Sequence, residues 1–182
     1  MSNNSCLSNS NIGYAGKVCV KVKDRKANRV LATFTNHNAG AEPLFSFLSL
    51  CLAGEYSTAD ALRPYKIKLF YNKDVENIGA SADPTVDDMN AVSSFISMNT
   101  LPDVYGNSVI FHFIIPYSYI SGEKVNQICL YGVDEKNSAN YSARFYILDE
   151  KTGENGITVN RALSNLSLMI DWTLTLKDVA TK

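Results

Sequence analysis

No run of about 18 apolar residues occurs in this 182-residue chain, which excludes a membrane-spanning helix. An excess of either charge is missing too: 17 Lys plus Arg stand against 18 Asp plus Glu, a formal net of -1. Without a basic surplus there is no electrostatic footprint for nucleic acid or an anionic membrane surface, so neither is expected as a partner. Residues 1–10 lack the basic start and apolar centre of a secretory signal, and the expectation is a protein made and assembled in a cytoplasm. Cysteine is sparse. Cys6, Cys19, Cys51 and Cys129 form no C-x-x-C pair and have no nearby histidine, which argues against a zinc knuckle or a disulfide framework. They read as reduced, small hydrophobes.

Histidine is scarcer still. His37 sits between two Asn residues and reads as a cap or turn residue; His112 lies between Phe111 and Phe113 and reads as a satisfied core or interface histidine. A general base needs a nucleophile or metal within reach, and the chain contains no G-x-S-x-G, H-E-x-x-H or Gly-rich phosphate loop. Glu76, Asp83, Asp87 and Asp88 could offer oxygen ligands to calcium, but their spacing matches no loop signature, and a solvated acidic loop is expected. Asp171 has no second acid at a defined position and so is not half of a glycosidase pair. No enzyme, cofactor, metal or catalytic residue is expected.

What the chain does have is alternation. From Leu166, every second residue to Leu176 is large and apolar: Leu166, Leu168, Ile170, Trp172, Leu174 and Leu176. That period of two describes a strand with one dry face and one wet face. Residues 17–23 and 29–35 alternate likewise around a polar turn and predict a hairpin, and residues 36–40 read as a turn. Pro43 near the start and Gly54 past the end frame a helix over 41–53. Strands are expected over 65–72, 91–98, 125–131, 142–148 and 157–159. Residues 108–115, almost continuous in Val, Ile and Phe, predict a central strand buried on both faces. Residues 73–90 read as a long surface loop.

About eight strands with many turns and one helix predict a mainly β fold, an antiparallel β-sandwich of jelly-roll type with the helix inserted near 41–53. The expected organisation is an N-terminal arm, residues 1–16, and a single sandwich domain, residues 17–182. Tyrosines at expected strand ends, such as Tyr65, Tyr71, Tyr117, Tyr119 and Tyr131, suit an interface as well as intradomain packing. A carbohydrate-binding module would set such tyrosines and Trp172 in an exposed groove. The phase of Trp172 puts it on the dry face instead.

Three stretches carry a resemblance. They are Asn38-Ala39-Gly40 leading into the helix that ends Leu52-Ala53-Gly54, the strand Tyr65-Lys66-Ile67-Lys68-Leu69, and Ile157-Thr158-Val159 with the closing strand that contains Asp171-Trp172-Thr173-Leu174. Together they resemble the small β-sandwich structural proteins of tailed-bacteriophage heads and tails, in which a strand ending W-T-L or W-T-I closes the domain. The resemblance implies a non-enzymatic virion component, either a capsid-attached auxiliary or fibre protein or a tail component, with other virion proteins and further copies of itself as partners. The polar arm is too poor in apolar side chains to fold alone. Cys6, Leu7, Ile12 and Tyr14 are its candidate interface residues, docking on a neighbouring subunit or another virion protein. The alternative is an arm that lies back along its own sandwich as an edge strand.

Overall fold

Alternation becomes sheet over most of the chain. The computed structural model describes residues 11–40, 42–55, 63–71, 90–132, 141–147 and 156–179. Their strands are β1 (Asn11–Asp24), β2 (Arg29–Gly40), β3 (Lys66–Tyr71), β4 (Asn90–Ala91), β5 (Ile96–Ser97), β6 (Asp103–Tyr105), β7 (Ser108–Pro116), β8 (Lys124–Val125), β9 (Gln127–Tyr131), β10 (Tyr141–Tyr146), β11 (Ile157–Thr158) and β12 (Leu166–Val179). The helix α1 spans Glu42–Ala53, as the Pro and Gly signals require. Its end is a Schellman closure: the amide of Gly54, at φ +79°, donates to the Cys51 carbonyl, and the Glu55 amide donates to that of Leu50.

Two antiparallel layers share β2. One runs β2-β1-β12-β7-β6; the other runs β4-β3-β9-β10-β2, with β5 also on β3. β2 pairs with β1 from Arg29 to Asn38, then leaves it, and Ala39 and Gly40 pair with Arg144 and Ala143 of β10. Residues 36–40 are therefore strand, not turn, because this corner carries the chain from one layer to the other. A single core joins the inner faces. Val18, Val20, Phe111, Phe113, Leu168, Ile170 and Trp172 of the first layer pack with Ile67, Leu69, Ile128 and Leu130 of the second. The fold is a mainly β, sandwich-like arrangement with one α-helix among the described residues.

Several boundaries differ from expectation. β1 begins at Asn11, because residues 11–15 pair with Thr175–Val179 of β12, and a backbone ladder needs no apolar side chain. Thus 11–16 is strand within its own sheet, and only residues 1–10 of the expected arm lie outside the described residues. The expected strand at 91–98 is two short pairings on β3, of Asn90–Ala91 and Ile96–Ser97, around an arch in which Ser93 accepts a hydrogen bond from the Leu69 amide at 3.0 Å. β7 is not central. Phe111, Phe113 and Ile115 are buried, but Ile114 is exposed and His112 half-buried on the other face, because nothing among the described residues covers it. Among the described residues, β9 is buried on both faces. Ile128 and Leu130 enter the shared core, whereas Cys129 and Tyr131 pack with Phe70 and Phe95 behind the second layer. The loop acids Glu76, Asp83, Asp87 and Asp88 lie outside the described residues.

Candidate functional site

On the solvent side of the first layer, the polar positions of four adjacent strands line up. Register sets Cys19 and His112 on either side of Asp171, with Lys21 of β1 and Asp103 of β6 on the diagonals. The side chains form an unbroken row. Lys21 Nζ donates to Asp171 Oδ2 at 3.0 Å, His112 Nδ1 lies 2.8 Å from Asp171 Oδ1, and His112 Nε2 lies 3.1 Å from Asp103 Oδ2.

Charge alternates along it as plus, minus, plus, minus when the imidazole is protonated. Burial alone would lower the His112 pKa, but hydrogen bonds and attraction from Asp171 and Asp103 outweigh it, and the net shift is upward. Burial would likewise raise Asp171, and His112 with Lys21 reverse this and hold it below the usual carboxylate value. The Lys21 ammonium is raised, first by its hydrogen bond to Asp171. Such a row differs from a catalytic Asp-His pair. Both ring nitrogens are occupied by carboxylates, so His112 has no lone pair aimed at a nucleophile.

The edge beside this row is largely apolar. Among the described residues β6, a three-residue strand, pairs only with β7, and around it Leu101, Val104 and Tyr105 are 85%, 69% and 61% exposed. Ile114 adds a further exposed side chain on the adjoining strand. The β6–β7 turn is Gly106-Asn107, with Gly106 at φ +58°, the position that favours glycine. Asn107 ties this turn to β12: its Nδ2 donates to the Leu176 carbonyl at 2.7 Å, and its own carbonyl accepts from the Leu176 amide at 2.9 Å. Between this turn and the helix lies a cavity of about 170 Å³, lined by Leu44, Phe47, Leu48, Val109, Leu174 and Leu176 among others.

The other sequence candidates are dispersed. His37 is exposed on β2, with Nδ1 3.3 Å from the Gly16 carbonyl. Trp172 is fully buried and so lies outside any surface groove; Tyr117 and Tyr131 are also buried, Tyr65 and Tyr71 half-buried, and Tyr119 exposed. Cys6 and Leu7 lie outside the described residues. Ile12 and Tyr14 are on β1, opposite Asp178 and Leu176 of β12. Sequence reasoning read Asp171 and His112 separately and gave Lys21 and Asp103 no role. Period two does put Lys21 and Asp171 on wet faces, but their meeting depends on pairing across 150 positions.

No protein family, curated protein or solved structure matches this chain.

Proposed function

We propose that this chain is a non-enzymatic structural protein of a bacteriophage virion, a capsid-attached auxiliary or fibre component that assembles through protein–protein contacts. The observation that carries the reading is the apolar free edge of the first layer. An edge strand has unpaired backbone donors and acceptors ready to receive another chain, and soluble proteins usually blunt such edges with charge, bulges or covering segments. β6 is short and begins with the charged Asp103, but it also carries Val104 and Tyr105, flanked by Leu101, and these three apolar side chains are all more than half exposed. Strand addition at this edge, with Leu101 and Tyr105 as anchors, would join the chain to a second copy or to another virion protein. The resemblance of the closing strand and the helix-bearing segment to phage β-sandwich proteins supports the same setting. A tail or tail-fibre location is served by the same edge.

The test is co-sedimentation with phage particles on a density gradient. Wild-type protein is expected in the particle band, and Val104→Lys with Tyr105→Lys is expected to remain at the top while keeping its wild-type circular dichroism. A folded double variant that bands with particles like the wild type overturns the edge as the attachment surface. Wild-type protein that never bands overturns the virion reading.

A further inference from the structure

We propose that His112 is a proton-operated latch on edge strand β6: as an imidazolium it holds Asp103 and Asp171 together, and on losing a proton it keeps Asp171 and releases Asp103. The argument is one of donors and acceptors. An ionised carboxylate only accepts hydrogen bonds, whereas a neutral imidazole has one N–H donor and one bare acceptor nitrogen. His112 Nδ1 faces Asp171 Oδ1 and Nε2 faces Asp103 Oδ2, at 2.8 Å and 3.1 Å. Both contacts are hydrogen bonds only when both nitrogens carry protons. After deprotonation, one bare nitrogen must face one carboxylate, and that pair separates.

Which contact yields follows from the surroundings. Asp171 is 29% exposed, has the shorter contact and is held from the other side by Lys21; Asp103 is 53% exposed and hydrates readily. Among the described residues, four strands bring groups to the ring. β12 brings Asp171, with Met169 and Thr173 beside it on the same face; β1 brings Lys21, with Cys19 opposite Asp171; β7 itself has Ile110 and Ile114; β6 brings Asp103, with Tyr105 two positions on. Among these, Asp103 alone joins the ring to β6. The strand is otherwise held by three residue pairs, Asp103 with Ile110, Val104 with Val109 and Tyr105 with Ser108. Losing the side-chain contact loosens the outermost strand while the rest of the sheet stays paired. A consequence, which rests on the assembly reading, is that edge-to-edge contacts weaken as pH rises. The latch itself does not depend on that reading.

The experiment is amide hydrogen exchange by NMR on the full chain, expressed as protection relative to intrinsic exchange, with the His112 ring titration followed in the same samples. Protection of the β6–β7 ladder, residues 103–105 and 108–110, is expected to fall about threefold as His112 deprotonates, the scale of a partly exposed ion pair. Protection at Val20 and Ile170 is expected to stay level. Two substitutions decide the cause. Asp103→Asn supplies an amide that accepts from the imidazolium and donates to the neutral ring, so protection should persist and the pH step vanish. Asp103→Ala should show low ladder protection at both ends of the titration. A step of wild-type size in Asp103→Asn overturns the latch. So does an unchanged wild-type ladder through the His112 titration, or a ring that never titrates between pH 5 and 9. Failure of the protein to join particles would sink the assembly reading and leave the latch standing.

Discussion

Replacing Trp172 by Ala removes the largest fully buried side chain among the described residues, a member of the core between the layers. Trp172 is fully buried; its register partners are Val18 on β1 and Phe111 on β7, themselves buried on the same inner face. A buried aromatic removes roughly 150 to 250 Å² from water. At about 25 cal/mol per Å² that corresponds to about 4 to 6 kcal/mol. Alanine keeps a small part of this and neighbours relax partly into the space, so the expected loss is about 3 to 5 kcal/mol. The assay is equilibrium unfolding in urea. Because Trp172 is the sole tryptophan, wild-type unfolding can be followed by its fluorescence, but the comparison with the variant must use far-ultraviolet circular dichroism. A variant whose midpoint and slope equal those of the wild type would refute the placement of Trp172 between the layers and restore a surface role for it.

Other expectations follow from single positions. Gly156 combines φ +93° with a carbonyl, that of Val125, 2.6 Å from where a Cβ would stand; Gly156→Ala should cost about 1 to 3 kcal/mol, and a neutral result in urea unfolding would show that the turn relaxes. The Gln127 amide is fully buried, with no hydrogen-bond partner for Oε1 or Nε2 among the described residues. Gln127→Met should therefore stabilise by about 1 to 3 kcal/mol, and a lower melting temperature would reveal a partner. The charge row sets a pH window. The lowered Asp171 pKa contributes stability above its unfolded value near 3.8, lost as pH falls through the folded value. The raised His112 pKa contributes stability below its unfolded value near 6.5, lost as pH rises through the folded value. Wild-type stability relative to His112→Gln should thus be greatest between those limits, measured as the difference in urea midpoint against pH; a difference that grows above pH 8 would contradict the sign.

Periodicity made the inner face legible. The phase of Leu168, Ile170 and Trp172 placed all three in the core, and Pro43 with Gly54 framed the helix almost to the residue. Its limits have physical causes. Leu176, in phase with the same row, is exposed, because it lines the cavity between the β6–β7 turn and the helix rather than the core. β7 resembled a doubly buried strand because composition does not reveal that nothing among the described residues covers its outer face. β9, which is buried on both faces, carries Gln127 and Tyr131 on its outer side beside Cys129, and a polar amide and a phenol do not announce burial. The charge row depended on register between strands remote in sequence. Lys21 and Asp171 looked like ordinary wet-face residues, and His112 like a satisfied core or interface histidine, until β1, β12 and β7 were laid side by side.

Quantitative mass spectrometry of phage particles purified from cells that produce the chain bears most directly on the assignment to a virion. The expected result is this chain at a fixed ratio to the major capsid protein, unchanged across successive density-gradient fractions and after a high-salt wash. Absence from the particles, or a trace amount that varies with each wash, would contradict it.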